Sequence, residues 1–409
     1  MAWRELWIIG FRDLMRNRRR SALSLIAVAL GLALLMMLNG LITGTMEQSL
    51  QNNIRLNTGH VQIRKDGYEV EKLSLKWSDL IEEPEALLAQ VRTLPEVKEA
   101  APVLWMNAFL NTADDSVGVQ VYGIDVTSPI HQPFRDAMVA GDFPAPDDRS
   151  GILLGRRLAD ELKLGIGDDL SLTAVNADGE PVEAIFTVRG LFSTGLPYYD
   201  QVAVFLPLSK AQALAGTGDR VSSIVIMLHD QGDAERVAER LRSPGLVPLT
   251  WRDLNAIWLT AVESGMVFYY ILDAIVMAIV AVIIANTLLM AVFERVREIG
   301  ILAALGMRAR QIRLMFLLEA AILGLAGIVV GFVLGTLGVS YLANVGLDIG
   351  NAAASAAGAL GLGTKMYAEF VPGLFVTLAA ATLGVILLAS LYPAWFASRL
   401  EPVDALHSL

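Results

Sequence analysis

The chain has 409 residues, of which 54% are hydrophobic and 18% are charged, and its mean hydropathy is +0.52. So little charge over this length excludes an ordinary soluble protein and favours an integral membrane protein. The sequence contains no cysteine, which excludes disulfides and thiolate metal sites. Residues 47–264 hold 19 Lys/Arg and 32 Asp/Glu, a net charge of −13 against −10 for the whole chain, so the remainder carries +3. This acidic excess argues against nucleic acid or anionic lipid as the ligand of the central part.

The start of the chain predicts a surface helix followed by a membrane span. In Met1–Arg20, large apolar side chains recur at three- and four-residue spacing, a pattern typical of an amphipathic helix on the cytoplasmic membrane surface. Ser21–Met46 is an uncharged run of 26 residues, enough to cross a bilayer. A cleaved signal peptide is the alternative. However, the run is long for one, and its removal would disturb the charge bias around the later spans, so we predict a retained anchor.

Residues 47–262 predict an α+β domain, inserted between the first two spans and large enough to bury its own core. The predicted strands are Gly59–Arg64, Val97–Asn111, Val117–Ile124, Leu170–Val175, Ala184–Phe192, Gln201–Leu206, Ser222–Leu228 and Val247–Trp251. The predicted helices are Glu83–Leu94, Arg156–Leu164, Ser209–Ala215 and Ala234–Arg242. Two stretches share the order helix, Pro-containing turn and strand ending in Trp, which suggests two β-α-β halves of one split sheet. The segment between them, Gly123–Leu206, is predicted to form a second lobe, although chance similarity explains the two stretches nearly as well.

Three further uncharged runs follow the inserted domain and predict three more spans. The predicted segments are span 263–293, loop 294–313, span 314–345, connection 346–369, span 370–398 and tail 399–409. Arginines precede the first span and fill the 294–313 loop, whereas the 346–369 connection holds the single Lys365. The positive-inside rule therefore predicts cytoplasmic termini and an extracytoplasmic inserted domain. The predicted fold class is a membrane protein with four transmembrane helices and a large α+β extracytoplasmic domain between helices 1 and 2.

Polar and small residues interrupt these apolar runs. Carboxylates within spans are candidates for function; the second span carries Asp273, and the third begins near Glu319. Residence at the membrane surface explains Asp273 more simply, because a charged group at depth would be costly. Glycines at near-four spacing in the third span, among them Gly324, Gly327 and Gly331, predict a face that packs closely against another helix.

The loop after the second span predicts a short helix, which Gly306 ends as a left-handed cap. This helix is either an inert connection back to the membrane or a surface that fits the groove of a partner. Its apolar residues Ile299, Leu302 and Leu305 recur at three-residue spacing, on a face that a partner or lipid headgroups could cover.

The sequence lacks the motifs of catalysis. The nearest match to a phosphate-binding loop, Gly358–Lys365, has Thr and Lys in the wrong order and no preceding strand. The four histidines are scattered without metal-ligand spacing, and no G-x-S-x-G nucleophile elbow occurs. We therefore predict a chain that is not an enzyme and binds no cofactor or metal of its own.

Several segments together resemble one family of membrane proteins. They are VREIGILAALGMRARQI with the following FLLEAAILGLAGIVVG, the ending YPAWFASRLEPVDAL, and the insert passages GILLGRRLADELKLGIGDDLSL, VRGLFSTGLPYYDQVAVFLPLSKAQAL and VYGIDVTSPI. With the order of one span, a large domain and three spans, they resemble the permeases of the FtsX/MacB/LolC-LolE superfamily of ABC transporters. The resemblance implies a permease dimer whose loop after the second span is a coupling helix that docks on an ATPase. The coupling positions it implies are Arg297, Glu298, Ile299, Gly300, Leu305 and Gly306.

Two differences within that family narrow the expectation. The MacB branch fuses the ATPase to the permease, whereas only 20 residues precede the first span here, so we expect the ATPase on a separate chain. The FtsX branch has a much smaller insert, which disfavours a role in cell division. Asn57–Tyr68 is similar to the corresponding segment of the lipoprotein-releasing LolC and LolE subunits.

The resemblance implies a permease subunit in the bacterial inner membrane that releases or extrudes a lipoprotein, lipid or amphiphile on the outer side. An ATP-driven signalling or regulatory complex that acts on a periplasmic partner without transport is the alternative. By analogy, candidate contacts of a substrate cavity are Met36, Met37, Asn39, Phe268 and Ile271, although packing or lipid contact explains them as well. The expected partners are a dimeric cytoplasmic ATPase that binds the ATP and Mg, a second permease copy or paralogue, a periplasmic lipoprotein or adaptor, and membrane lipids, but no nucleic acid.

Overall fold

A computed structural model describes residues 18–69, 72–148, 150–350, 353 and 363–400. The chain forms two compact units. The membrane unit combines residues 1–46, 262–347 and 366–409, and the inserted domain combines residues 47–261 and 348–365. Most of the predicted surface helix Met1–Arg20 and most of the tail 399–409 lie outside the described residues.

Helices and strands are numbered here in chain order. The α-helices are α1 (Arg18–Asn53), α2 (Pro84–Val91), α3 (Gln132–Asp136), α4 (Arg156–Leu162), α5 (Tyr199–Val202), α6 (Leu208–Ala215), α7 (Ala234–Arg240), α8 (Trp251–Leu254), α9 (Ala256–Glu294), α10 (Val296–Ala304), α11 (Ala309–Val345) and α12 (Pro372–Ala397). The strands are β1 (Val61–Lys65), β2 (Val97–Asn111), β3 (Ser116–Ile124), β4 (Met138–Gly141), β5 (Gly151–Gly155), β6 (Asp169–Val175), β7 (Pro181–Phe192), β8 (Ala203–Pro207), β9 (Ser223–Leu228), β10 (Leu246–Thr250), β11 (Leu347–Asp348) and β12 (Lys365–Met366).

Among the described residues, α1, α9, α11 and α12 are long and apolar enough to cross a membrane. The inserted α+β domain lies between the first and second of them, as the sequence predicts. Helices α1 and α9 have 36 and 39 residues. At 1.5 Å per residue they are roughly 54 and 58 Å long, against about 30 Å for a hydrocarbon core. Each helix therefore continues well beyond the thickness of a bilayer.

Glycines on α11 allow α1 to approach its backbone closely. A Cβ atom at Gly327 would lie 2.7 Å from the side chain of Val28, and one at Gly331 would lie 2.7 Å from the carbonyl oxygen of Ala29. The second contact is with backbone, which cannot rotate away as a side chain can. Any larger residue at Gly331 must therefore push the two helices apart.

Helix α1 ends in a single π-turn, Ile54–Thr58, which leads into the inserted domain. The N–H of Gly59 donates to the carbonyl of Ile54 at 2.8 Å and closes the turn. Gly59 has a φ of +64°, and a Cβ there would lie 2.6 Å from the side chain of Val225. The turn and the close approach both require glycine at this position.

The described residues of the inserted domain form one ten-stranded sheet of order β10-β1-β9-β2-β3-β8-β5-β7-β4, in which β6 pairs with β2 and β7. The units β1-α2-β2 and β9-α7-β10 interleave, because β9 lies between β1 and β2 while β1 lies between β10 and β9. The contacts within this group are antiparallel. This arrangement confirms the predicted split sheet made of two β-α-β halves.

The sheet carries two hydrophobic cores. One lies within the split sheet, and the other extends along β2 to β8 and is rich in aromatic side chains, including Phe134, Phe192 and Phe205. The rings of Phe134 and Phe205 lie 4.4 Å apart between centroids. The first part of β2 pairs with β9 and the later part pairs with β3 and β6. The second core therefore begins on β2, earlier than the predicted start at Gly123, because one long strand belongs to both cores.

Four strands were missing from the sequence prediction: β4 and β5 of the large sheet and the two-residue strands β11 and β12. β5, Gly-Ile-Leu-Leu-Gly, is buried at every position and shows no alternation, and its two leucines lack the β-branched or aromatic enrichment that marks the equally buried β8. β4 has only four residues at the edge of the sheet. The predicted strand Gln201–Leu206 begins later, at Ala203, since its first residues belong to the short helix α5.

Candidate coupling surface and intramembrane contacts

The short helix α10 connects α9 to α11 and is anchored by one large side chain. Ile299 is only 2% exposed and belongs to a buried cluster with Val292 of α9, Ile312 and Phe316 of α11, and Ala394 of α12. The neighbouring residue of the helix, Gly300, is buried as well. The cluster draws on all three membrane helices beside α10, so this helix is seated firmly on the membrane unit.

The opposite face of α10 is open. Arg297 and Glu298 are exposed, Ile301 is 45% exposed, and Leu305 is 80% exposed. Arg297, Ile301 and Leu305 are four residues apart, which places them on one helix face. An exposed apolar pair beside charged groups is a typical protein-binding surface.

The end of α10 is fixed by a Schellman motif. Gly306 has a φ of +93°, and its N–H donates to the carbonyl of Ala303 at 3.0 Å. The N–H of Met307 donates to the carbonyl of Leu302, also at 3.0 Å. This geometry confirms the predicted left-handed cap and fixes the direction in which the Leu305 side chain leaves the helix.

The predicted common face of Ile299, Leu302 and Leu305 is wrong. Ile299 is buried, Leu302 is half-buried, and Leu305 is exposed. Three-residue spacing falls about 60° short of a full turn at each step, so residues six apart diverge by about 120°. Ile299 and Gly300 therefore lie toward the membrane helices, and only Arg297, Glu298, Leu305 and Gly306 of the six coupling positions are exposed.

Polar contacts join α1 to α9 at three levels. The Arg20 guanidinium pairs with Glu294 at 2.5 Å, where α1 begins and α9 ends. The Ser24 hydroxyl donates to the Thr287 hydroxyl oxygen at 2.8 Å. The third level is the pair of Asn39 and Asp273, described next. Together these contacts fix the register of the two helices, because each pair forms only when its two residues lie at the same level along the helix axes.

Asp273 is enclosed by protein. Its side chain is 7% exposed, and Asn39 Nδ2 donates to its two carboxylate oxygens at 3.0 and 3.1 Å. The same amide nitrogen also lies 3.0 Å from the carbonyl oxygen of Leu35. A helix–helix contact therefore surrounds Asp273, and its place near the membrane surface stays a prediction. Glu319 is likewise buried.

The five candidate cavity residues differ in burial, and their role in a substrate cavity stays a prediction. Met36 is fully buried and Asn39 is engaged by Asp273, so both serve helix packing. Met37 is half-buried. Phe268 and Ile271 lie on the exposed side of α9, at 61% and 53% exposure.

The glycines predicted to pack against a helix contact two different helices. Gly327 and Gly331 face α1, whereas a Cβ at Gly324 would lie 3.1 Å from the Ile386 side chain of α12. Helix α11 is thus packed through small residues on more than one side.

Sequence reasoning considered Asn39 and Asp273 separately and missed their pairing. The available signal was a strongly polar residue in each of two apolar runs, Asn39 in the first and Asp273 in the second, because such a group in lipid requires a partner. In the part of the chain that the structure describes, no three His, Asp or Glu side chains are arranged to hold a metal ion.

Two protein-family models match the chain and together span most of it. The MacB-like periplasmic core domain matches residues 21–243, and the FtsX-like permease C-terminal region matches residues 270–402. The lipoprotein-releasing system transmembrane protein LolC of Neisseria meningitidis serogroup B is 26% identical over 434 residues, which cover 98% of each chain. LolE of the same system in Haemophilus influenzae is 24% identical over 410 residues, with 94% of this chain and 93% of that protein covered.

Two further relatives carry the name MacB. The macrolide export ATP-binding/permease protein MacB of Hyphomonas neptunium is 26% identical over 425 residues, which cover 98% of this chain and 60% of that protein. The crystal structure of the periplasmic region of MacB from Actinobacillus actinomycetemcomitans is 15% identical, with a TM-score of 0.34, and covers 51% of this chain and 96% of that chain.

Proposed function

Because the chain belongs to the FtsX/MacB/LolC-LolE superfamily of ABC transporter permeases, we propose that it couples ATP hydrolysis on a separate cytoplasmic ATPase to the release of a lipoprotein, lipid or amphiphile. The ATP and Mg would be bound by the ATPase, and this subunit would act as a dimer with a second copy or a paralogue. In this proposal both termini and α10 lie in the cytoplasm, and release occurs on the outer side of the bacterial inner membrane.

The two faces of α10 carry the proposal. Ile299 attaches the helix to α9, α11 and α12, and the exposed Leu305 and Ile301 offer a partner an apolar contact. A force applied to Leu305 by the partner would therefore be transmitted to three membrane helices through the packed cluster around Ile299. An inert connection would need neither the buried anchor nor two exposed large apolar side chains.

The long helices α9 and α1 would transmit the movement of α10 toward the outer side of the membrane. α10 follows directly on from α9 in the chain, and α9 is roughly 58 Å long at 1.5 Å per residue. α1 is joined to α9 by the contacts at Arg20, Ser24 and Asn39, so the two helices move together. A tilt begun at α10 is then carried beyond the bilayer without a hinge in between.

The substrate class follows from the character of the membrane helices. Phe268 and Ile271 of α9 are exposed and apolar, and Val267 and Ile275 on the same helix are exposed as well. Such a surface suits an acyl chain or another apolar group and offers a hydrophilic solute no hydrogen bonds. This supports a substrate that is already embedded in the membrane.

The docking step is tested by Leu305→Ser in the full-length permease, purified with its cognate ATPase. We expect the ATPase to bind about tenfold more weakly, the loss of one exposed hot-spot side chain. Ala304→Ser is the matched control, because Ala304 is exposed next to Leu305 and small. Equal binding of the ATPase by the two variants would show that α10 is not the docking surface.

The substrate is tested by ATP hydrolysis of the reconstituted complex. Stimulation of hydrolysis by a purified triacylated lipoprotein, and release of that lipoprotein from the vesicle, is the expected result. Stimulation by a soluble periplasmic protein alone, without release of any lipid-anchored molecule, would favour the regulatory function instead.

A further inference from the structure

A cleft of about 480 Å³ in the inserted domain contains an arginine that has no carboxylate partner among the described residues. Its walls come from β1, β2, β3, β10 and α8 and from the end of α1. Arg64 of β1 lies in this cleft together with Asn107, Gln120 and Trp105. Arg64 contributes the single positive charge and Asp253 the single negative charge among the residues that line it.

The Arg64 side chain is held in place by neutral groups. Its guanidinium carbon lies 5.3 Å from the centre of the Trp105 ring, and its Nε donates to Gln62 Oε1 at 2.7 Å. Among the described residues this is the one hydrogen bond that the guanidinium makes, so both terminal nitrogens are available to a ligand. Burial lowers the pKa of Arg64 to about 10, and the side chain still carries its charge at neutral pH.

Other arginines of the inserted domain are neutralised within the domain. Those with an acidic partner among the described residues are Arg92, Arg156, Arg189, Arg220, Arg236, Arg240 and Arg242. In a domain with a net charge of −13 over residues 47–264, carboxylates are plentiful, yet none of the described ones forms an ion pair with Arg64. A partly desolvated cation gains most from an anion that enters its cleft.

We propose that this cleft binds a phosphate group, with Arg64 as the anchor that receives two phosphate oxygens on its terminal nitrogens. Arginine binds such groups bidentately, and stacking on Trp105 presents the guanidinium edge to the cleft. The amides of Asn57, Asn107 and Gln120 line the same space and supply further donors. The acidic excess of the domain acts weakly here, since charges beyond about 10 Å are screened by salt.

The cleft favours a ligand with a single negative charge. Asp253 faces the same space, and its Oδ2 already accepts hydrogen bonds from the N–H and the hydroxyl of Thr250, each at 2.8 Å. A second negative charge on the ligand would find no further cation in the cleft lining, and the Asp253 carboxylate would repel it. A phosphodiester, as in a phospholipid headgroup, carries one charge, whereas free phosphate carries between one and two. Leu249 and Leu254 add apolar surface for the rest of a lipid.

The test is binding of two probes to the full-length permease in a nonionic detergent, measured by calorimetry. Dihexanoyl phosphatidylglycerol reports on the lipid phosphodiester, and inorganic phosphate reports on the free anion. Arg64→Gln is expected to weaken binding of the preferred probe at least about tenfold, the loss of a charge-assisted pair. Arg242→Gln is the matched control, because Arg242 is exposed and pairs locally with Glu239.

A second variant tests the site without touching the cation. Asn107 is exposed and its side chain makes no hydrogen bond to a described residue, so Asn107→Trp should fill the cleft and leave the fold intact. Loss of binding in both variants supports the site, and the tighter of the two probes identifies the source of the phosphate. If neither probe binds, or if Arg64→Gln and Arg242→Gln bind equally, the proposal is overturned.

Discussion

The membrane unit and the inserted domain achieve close packing by different means. In the inserted domain, large side chains such as Phe205 and Phe192 fill the core, where the hydrophobic effect favours their burial. In the membrane unit, close contact is made where a side chain is missing, as at Gly331 against the backbone of Ala29. Lipid tails are as apolar as the helices, so helix association there depends on close approach and on polar pairs.

The two units also differ in how they bury polar groups. In the membrane unit, Asn39 and Asp273 satisfy each other across two helices. In the inserted domain, His131 is buried in the aromatic core, and its Nε2 makes no hydrogen bond to a described residue. The first arrangement holds helices in register, and the second makes the stability of the domain depend on pH.

The largest expected effect concerns close approach in the membrane unit. Gly331→Leu should destabilise the packing of α1 on α11 by up to about 3 kcal/mol, because the new side chain meets the Ala29 backbone. Gly384→Leu on α12 is the control, since a Cβ there meets no atom within 4 Å. Unfolding of both variants in a graded series of SDS concentrations measures the difference. Equal stabilities would show that small residues do not hold these helices together.

A smaller effect, confined to the inserted domain, follows from His131. Burial lowers its pKa to about 4, while nearby Asp125 raises it and Arg135 lowers it. Since the unfolded imidazole titrates near pH 6.5, the unfolded state binds more protons between pH 6.5 and 4, and stability falls as the pH is lowered. From pH 6.5 to 5 we expect a loss of about 2 kcal/mol.

His131→Phe should abolish this loss, because the ring is kept and the titrating nitrogen is removed. Hydrogen exchange of core peptides from the full-length protein at the two pH values measures it. Burial raises the pKa of Asp200 in the same domain, which acts in the opposite direction, so the wild type and the variant are compared at each pH. A wild type that loses no more stability than the variant would contradict the assignment.

The smallest expected effect is the coupling between Asn39 and Asp273. A double-mutant cycle with Asn39→Leu and Asp273→Leu should give about 0.6 kcal/mol and no more than about 1.7 kcal/mol, the range for polar pairs between membrane helices. Asn344→Leu with Asp273→Leu is the control cycle, because Asn344 donates within its own helix, to the Ser340 carbonyl. A cycle with Asn39 that matches the control cycle would show that the pair does not join α1 to α9.

Much of the architecture follows from local pattern. Hydrophobic run length predicts the four spans, and an apolar run between turn-forming residues gives the bounds of β2, Val97–Asn111, correctly. The split sheet was recognisable because helix, turn and strand occur twice in the same order. Where both sides of a strand are covered, alternation disappears, and a strand with few β-branched or aromatic residues, such as β5, is then missed.

The candidate site depended more heavily on tertiary structure. The sequence marks α10 through its helix formers and Gly306, yet it cannot tell which residues lie inward. Ile299 and Leu305 are both apolar, and only the position of α11 and α12 makes one an anchor and leaves the other exposed. Asn39 and Asp273 lie 234 residues apart, so no local pattern could reveal their hydrogen bonds.

The sequence by itself determined that this protein spans a membrane and carries a large α+β domain, because apolar length and strand alternation are properties of neighbouring residues. Only the tertiary structure decided which polar groups have partners, with Asp273 paired and Arg64 left facing a cleft. Pairing is a matter of distances of a few ångströms between side chains that are remote in sequence. Those distances exist only once the helices and the sheet have packed.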